Sequence, residues 1–308
     1  MKRLLLILLC ACLLTGCGRN DTYQKKQDAS YTKEEKSSTD NNKDAIADSG
    51  SSREREEVKP EILHFRDVFG AEYQVEINKN VKPCQYDKDL FRHEGDKLFY
   101  DDETYDCALG IDVSYHQGYI DWQQVKEQGF DFAFLRIAYR GYGQEGVLKT
   151  DTEFERNLQN AQEAGLSVGV YFFAQAINEQ EAKEEADFVL SLLNQRHLEL
   201  PVVYDPESIL DDEARTDDVT GEQFTKNTEV FCNAIREAGY EPMIYSNMLW
   251  EAYKLDLEYL KDFPIWYADY EAKPQTPYDF TFWQYSNQGK VGGVSGNVDL
   301  DIWMKKQE

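Results

Sequence analysis

Apolar and polar positions change their spacing near residue 109, where short apolar runs begin to alternate with longer amphipathic stretches. Short runs rich in Val, Ile, Phe and Tyr are typical of buried β-strands. They predict strands at 109–115, 130–139, 166–174, 200–207, 241–247, 263–270, 280–286 and 296–301. Stretches with helical spacing lie between the earlier strands, at 121–128, 151–164, 178–195 and 221–238. The later strands therefore lack matching helices.

Residues at the ends of these stretches support the predicted helices. Asn178 can cap the first turn of its helix, and Gly165 and Gly239 suit the left-handed conformation that ends one. The alternation predicts an α/β protein, a (β/α) barrel of TIM type with missing or shortened helices in its second half. An open doubly wound sheet is the alternative, although no GxGxxG motif follows the first strand.

The chain before the barrel divides into an apolar leader and a polar stretch. Residues 1–16 place two basic residues before an apolar run, which predicts a secretory signal peptide too short for a stable membrane span. The ending LTGC resembles the bacterial lipobox, so Cys17 is the predicted lipidation site; a signal peptide cleaved elsewhere is the alternative. Residues 17–60 have almost no apolar side chains and predict a disordered linker.

Between the linker and the barrel, residues 61–107 predict a small β-rich lead-in with a hairpin near Gly70. An independent module and an extension packed on the barrel both remain open, because so short a segment rarely forms its own core. The catalytic domain is then 108–308. We expect the protein outside the cytoplasmic membrane, lipid-anchored at the cell surface.

Charge and cysteine content narrow the classes of partner. The net charge of −25 makes nucleic acid and anionic lipid surfaces poor partners, although simple solubility also explains such acidity. Cys84 and Cys107 flank one short segment and could pair, whereas Cys232 is predicted to be a buried free thiol. The cysteines and four histidines are too scattered for a metal site. We expect a monomer that needs no metal and no cofactor.

Acidic residues stand where the predicted strands end. In a (β/α) barrel these ends line the active-site mouth. Residues two apart on a strand share a face, so Asp205 and Glu207 can reach one bond together. Clustered carboxylates suit glycoside hydrolysis, in which one acid donates a proton and another stays ionised; metal binding is the rival chemistry. The strand ends predict a mouth formed by Asp112, Asp205, Glu207, Asp269, Trp283 to Tyr285, and Asp299.

The segment GIDVSYHQGYIDWQQVKEQGFDFAFLR resembles the opening of glycoside hydrolase family 25 lysozymes. The stretches VVYDPE, MIYSN, IWYADY and FWQYSNQGKVGGVSGNVDLD are similar to later motifs of that family, in the same order. The resemblance implies an N-acetylmuramidase that cuts peptidoglycan glycan strands. It also implies Glu207 as the catalytic acid and Asp205 as the carboxylate that orients the substrate's acetamido group or activates water, with Asp112 and Asp299 completing the catalytic set.

The aromatic members of the predicted substrate-binding set could instead belong to the core. The set is Tyr171, Tyr245, Trp266, Asp269, Trp283, Tyr285 and Arg140. One departure from the family concerns RIAYRGYG, which stands where many members have KATEG. Arg140 could face a carboxylate of the substrate there, or lie at the rim without a role. His116 could belong to the site or to a loop.

Two other functions remain open. A catalytically silent wall-binding lipoprotein could keep the barrel, although all four expected carboxylates are present. A chitinase-like hydrolase from another barrel family is disfavoured, because position 203 of the DxxDxDxE pattern is valine here.

Overall fold

The computed structural model describes residues 59–210 and 212–307. The predicted signal peptide 1–16, the predicted lipidation site Cys17 and the predicted linker up to residue 58 lie outside these residues. Within the described ranges, no helix is both long and apolar enough to cross a membrane.

Two antiparallel hairpins precede the barrel. Strands β1 (Ile62–Arg66) and β2 (Glu72–Glu76) form the first, and β3 (Arg92–Glu94) and β4 (Lys97–Phe99) form the second. Gly70 has a φ of +81° in the turn of the first hairpin, a conformation that glycine adopts without strain. The hairpin predicted near Gly70 is therefore confirmed.

The remaining strands form one sheet, and their bounds follow the predicted strands closely. They are β5 (Tyr105–Val113), β6 (Phe130–Arg140), β7 (Leu148–Thr150), β8 (Ser167–Ala174), β9 (Val202–Pro206), β10 (Pro242–Asn247), β11 (Ile265–Ala268), β12 (Phe282–Gly289) and β13 (Val298–Lys306). The sheet runs in the order β5-β13-β12-β11-β10-β9-β8-β6-β7, and pairing of β5 with β6 closes it into a barrel. The predicted barrel is confirmed.

One strand of the barrel runs against the others. β13 is antiparallel to both β12 and β5, whereas the other strands of the closed ring are parallel to their neighbours. The short strand β7 lies outside the ring and is antiparallel to β6. Only residues 290–297 connect β12 to β13, which is too short for the crossover that a parallel pair needs. The beginning of β13 therefore lies at the same end of the barrel as the carboxyl ends of the parallel strands. We call this end the mouth.

Five α-helices in the described part cover the barrel: α1 (Trp122–Glu127), α2 (Phe154–Glu163), α3 (Glu179–Leu193), α4 (Gly221–Glu237) and α5 (Met248–Tyr253). Asn178 caps α3 by accepting a hydrogen bond from the Glu181 N–H at 3.0 Å, as predicted. Gly165 and Gly239 follow α2 and α4 with φ near +79° and +88°, which confirms both predicted helix ends. α5 and the short strand β7 were not predicted.

Aromatic side chains fill the barrel interior beneath the mouth. Phe134 stacks on Trp266 at 4.5 Å between ring centroids, and Phe132 meets Phe282 edge-on at 5.2 Å. This packing requires glycine on neighbouring strands, because a Cβ at Gly110 would lie 2.3 Å from the Phe132 ring and one at Gly169 2.4 Å from the Phe134 ring. The interior is thus a packed floor, and polar chemistry is confined to the layer above it.

Residues 61–107 pack on the outside of the barrel. The Tyr86 hydroxyl donates to the Phe280 carbonyl at 2.5 Å, and the Phe91 ring meets Trp283 at 5.1 Å. The first hairpin is tied to the loop after β11, where Gln275 exchanges two hydrogen bonds with the Arg66 backbone at 2.8 and 2.9 Å. These contacts make the segment an extension of the barrel.

The cysteine side chains of the described part are free thiols. Cys84 donates weakly to the Tyr86 carbonyl, and the Cys107 sulfur accepts from the Tyr100 N–H. The pairing of Cys84 with Cys107 left open by the sequence is not made. Cys232 is buried in α4, as predicted.

Candidate active site

Five carboxyl groups converge at the mouth. Asp112 lies near the end of β5, and Asp205 lies in β9. Glu207 directly follows β9, and Asp299 and Asp301 lie in β13. Asp112 and Asp299 are register partners across the antiparallel pair of β5 and β13. The structure thus brings together the four predicted catalytic carboxylates and adds Asp301, which was not predicted.

Asp205 and Glu207 form a hydrogen-bonded pair of carboxyl groups. Burial raises the pKa of both, and the Glu207 charge raises the pKa of Asp205 further. Two carboxylates in contact cannot both ionise easily, so this arrangement favours a state in which the pair shares one proton. Asp205 Oδ1 is buried and has no hydrogen-bond partner among the described residues.

Asp112 and Asp301 form a second pair beside the first. Burial raises the pKa of Asp112, as do the charges of Asp299 and Asp301. Asp301 is fully buried and accepts a hydrogen bond from Trp266 Nε1 at 2.8 Å. Trp266 therefore supports a carboxylate from the floor, which differs from its predicted contact with substrate.

Asp299 lies closer to the opening than Asp112. Burial and the nearby Glu207 charge raise the pKa of Asp299 to about 7. This carboxyl group thus changes its charge near neutral pH, under the influence of the Glu207 charge.

Gln284 connects these carboxylates to two tyrosines. Its Nε2 donates to Asp112 Oδ2 at 2.7 Å, and its Oε1 accepts from the hydroxyls of Tyr245 at 2.9 Å and Tyr270 at 2.8 Å. Tyr245 was predicted to face the site, whereas Gln284 and Tyr270 were not singled out as binding residues. Gln284 could have been identified from the sequence, because it is a polar residue between two aromatic ones on a predicted barrel strand.

Tyr171 and Arg136 complete the layer on the opposite side. Burial raises the pKa of Tyr171, and the Asp112 and Asp205 charges add to the effect. Arg136 lies within β6, pairs with Asp151 at 2.9 Å, and lowers the pKa of Asp205 through its charge. The cationic residue of the mouth is therefore Arg136.

Arg140, the predicted cation, lies elsewhere. Its guanidinium is buried against Glu185 at 2.8 Å and donates to the carbonyls of Gly146 and Glu181. The prediction that it binds substrate is wrong, because these donors face α3 and the 141–147 loop. Removing one partner of such a buried pair typically costs about 3–5 kcal/mol of stability.

Trp283 and Tyr285 also point away from the mouth. Trp283 is fully buried, donates from Nε1 to the Asp269 carbonyl at 2.7 Å and packs on Phe91 of the lead-in. The Tyr285 ring lies 6.2 Å from the His93 ring. Both predictions of substrate contact are corrected, because alternate residues of a barrel strand face opposite sides and Gln284 takes the inner one.

Asp269 shapes the loop that follows β11. Its carboxylate accepts from the Tyr267 hydroxyl at 2.9 Å and from the backbone N–H groups of Glu271 and Gln275 at 3.1 and 2.8 Å. These bonds hold the loop that carries Tyr270 into the site. Asp269 thus acts on the site through that loop, in place of the predicted direct contact.

Gln175 holds the backbone that carries Glu207. Its Nε2 donates to the Glu207 carbonyl at 2.8 Å, and its Oε1 accepts from the Thr216 hydroxyl at 2.9 Å. The Gln175 N–H donates to Glu185 Oε1 at 3.2 Å, the same oxygen that receives Arg140. The buried pair of Arg140 and Glu185 therefore supports the acid-bearing loop from behind.

A closed barrel with hydrogen-bonded, partly protonated carboxyl groups at its mouth can donate a proton and stabilise positive charge at one bond. No group of three or more His, Cys, Asp or Glu in the described part has the arrangement of a metal site. The fold and the mouth define the class of barrel glycoside hydrolases that work with carboxyl groups.

Comparison with known proteins places the chain within this class. Residues 111–294 match the glycosyl hydrolases family 25, which is more than half of the chain, and the chain belongs to that family.

Several relatives carry names that bear on function. The autolytic lysozyme of Clostridium acetobutylicum is 28% identical over 194 residues, which are 62% of this chain and 54% of the relative. Lysozyme M1 of Streptomyces globisporus is 31% identical over 207 residues, 62% of this chain and 65% of the relative. The crystal structure of the bacterial lysozyme from Streptomyces coelicolor superposes with a TM-score of 0.51 at 27% identity, over 64% of this chain and 91% of that chain. This chain spans about half the length of the autolytic lysozyme.

Proposed function

We propose that this protein is a muramidase that hydrolyses the β-1,4 bond between N-acetylmuramic acid and N-acetylglucosamine in peptidoglycan. The observation that carries the proposal is the buried, hydrogen-bonded pair of Asp205 and Glu207 at the mouth of a family 25 barrel. The relatives named lysozymes support the substrate class.

Glu207 is the proton donor in this proposal. It lies just beyond the end of β9 and is more exposed than Asp205, so a glycosidic oxygen in the mouth reaches it first. Burial raises its pKa, which favours the protonated form that a general acid requires. When the proton leaves with the sugar oxygen, the pair becomes doubly ionised beside the positive charge that develops at the sugar.

Asp205 orients the acetamido group of the substrate. A carboxylate that works through water across the bond stands about 6.5–9.5 Å from the acid. Asp205 and Glu207 are in hydrogen-bond contact, which is far closer than that separation. Asp205 Oδ1 can only accept a hydrogen bond, and an acetamido N–H is a donor that would satisfy it. We therefore favour internal attack by the acetamido oxygen over activation of water.

Asp112 and Asp299 stabilise the charge that develops during the reaction. Asp112 is buried and Asp299 is partly buried at the mouth beside the catalytic pair, and a low-dielectric site strengthens their effect on a cationic sugar. Gln284 fixes Asp112 by its hydrogen bond, so this charge is oriented before substrate binds.

The test is analysis of cleavage products. The purified protein is incubated with peptidoglycan, the new reducing ends are reduced with borohydride, and the fragments are identified by mass spectrometry. Muramitol ends that depend on the protein are expected. Reduced glucosamine ends would show that the other glycosidic bond of the strand is cleaved. Binding to peptidoglycan without any products would point to a catalytically silent wall-binding protein.

We also propose that the domain order is a signal peptide 1–16, a lipid-anchored linker 17–60, the lead-in 61–107 and the catalytic barrel 108–308. The lipobox-like ending LTGC supports lipidation of Cys17, and a tethered enzyme would meet peptidoglycan outside the cytoplasmic membrane. In cells, Cys17→Ala is expected to move the protein from the membrane fraction to the soluble fraction. Unchanged membrane association would contradict the anchor.

A further inference from the structure

Exposed tyrosines in the described part are concentrated at the mouth. Five tyrosines are at least about a third exposed: Tyr115, Tyr119, Tyr142, Tyr259 and Tyr270. All except Tyr259 lie in loops that follow β5, β6 or β11 at the mouth. Tyr270 already belongs to the site through Gln284, which leaves the loops after β5 and β6 with aromatic residues that the proposed reaction does not use.

Hydrogen bonds fix the backbone at Tyr115, although the residue is 43% exposed. Its N–H donates to Asp151 Oδ2 at 3.0 Å, within a turn closed by the Ser114 N–H donating to Gln117 Oε1 at 2.9 Å. The Arg136 guanidinium lies 4.9 Å from the centre of the Tyr115 ring. Arg136 also lowers the pKa of Asp205 through its charge, so the same residue contacts this ring and acts on the catalytic pair.

Tyr119 lies further along the same loop and is the most exposed of the described tyrosines, at 68%. The Arg156 guanidinium lies 5.4 Å from the ring centre and donates to the Gly118 carbonyl at 3.2 Å. The loop therefore presents two aromatic rings, each positioned by an arginine from the barrel or from α2.

The chemistry of these rings suits a sugar. A pyranose has an apolar C–H face that stacks on an aromatic ring, and its hydroxyls can bond to the tyrosine O–H. Such stacking does not depend on net charge, which matters because a chain of charge −25 gains no long-range attraction to an anionic cell wall. An ordered ring also binds with little loss of side-chain entropy.

We propose that Tyr115 and Tyr119 form a glycan platform that holds sugar units of the strand beyond the cleaved bond, on the β5 side of the mouth. The inference rests on the proposed muramidase function and adds a preference for long glycan strands. Each additional sugar on the platform raises the affinity for the strand, so the preference increases with chain length until both rings are covered.

The experiment compares two substrates, uncrosslinked glycan strands of many disaccharide units and a tetrasaccharide of two units. The measured quantity is the ratio of kcat/KM for the long substrate to that for the short one. Tyr119→Ala is expected to lower this ratio about three- to tenfold, mainly through KM, and Tyr115→Ala with Tyr119→Ala to lower it further. Tyr119→Phe is expected to retain most of the ratio because the ring is kept.

Tyr259→Ala is the matched control. Tyr259 is 55% exposed but lies after α5, with its hydroxyl on Glu229 at 2.7 Å, and its removal is expected to leave the ratio unchanged. An unchanged ratio in the double variant, or an equal fall in Tyr259→Ala, would overturn the platform. Failure of the unaltered protein to cleave either substrate would instead overturn the proposed function.

Discussion

Glu207→Gln is expected to reduce kcat on peptidoglycan by about 10²–10⁴-fold, the usual contribution of a general acid. Glutamine keeps the size of the side chain and can still hydrogen-bond to Asp205, but it has no proton to give to the leaving oxygen. The measurement is the rate of release of reducing ends. If the variant keeps more than a tenth of the activity, Glu207 is not the catalytic acid.

Two controls separate a lost proton donor from a damaged fold. An aryl glycoside of the same sugar has a leaving group that needs little protonation, so Glu207→Gln should lose much less activity on it. The folded protein raises the pKa of Glu207 by burial, so it binds more protons than the unfolded chain between the ordinary and raised pKa values. This carboxyl group thus becomes destabilising as pH rises through that range, and Glu207→Gln should not lower the melting temperature at pH 7.

The sequence predicted the carboxylates well because their positions follow from the strand pattern. Asp112, Asp205 and Glu207 stand at or just after the ends of buried runs, and a closed barrel brings such ends together whatever the register of each strand. Asp299 joins them because the short connection 290–297 makes the last strand return antiparallel. None of these placements depends on a single residue's local geometry.

Side-chain direction was harder to predict, because bulges change it. β6 has one extra residue opposite β8, since Arg136 pairs with Tyr171 and Ala138 pairs with the next residue, Phe172. Simple alternation from Arg136 puts Arg140 on the same inner side, whereas the extra residue turns it outward to Glu185. A bulge of this kind leaves no clear mark in the spacing of apolar residues.

The aromatic residues of β12 were misassigned for a related reason. Trp283 and Tyr285 look like sugar-binding residues at a strand end, yet they flank the inner residue Gln284 and pack beneath the lead-in. Their outer surface is apolar because residues 61–107 cover it. The sequence predicted that this segment exists but could not say which barrel strands it contacts.

Asp205→Asn is expected to lower kcat/KM by about 10²–10⁴-fold and to change the shape of its pH profile. In the unaltered pair, activity requires one proton on two carboxyl groups, so the rate falls at low pH when both are protonated and at high pH when both are ionised. The second ionisation is raised because it places two negative charges in contact. Asparagine removes one charge, so the alkaline limb should move to lower pH and the acidic limb due to Asp205 should disappear.

A modified substrate shows what Asp205 does to the sugar. Replacing the acetamido group by trifluoroacetamido weakens its carbonyl oxygen as a nucleophile and should slow the unaltered enzyme strongly if that oxygen attacks. Asp205→Asn should respond much less, because the group is no longer oriented by the buried Oδ1. Equal rates on the two substrates for the unaltered enzyme would instead assign Asp205 to the activation of water. The contact between Asp205 and Glu207 would then have to open by several ångströms to admit that water, since a carboxylate that works through water stands about 6.5–9.5 Å from the acid.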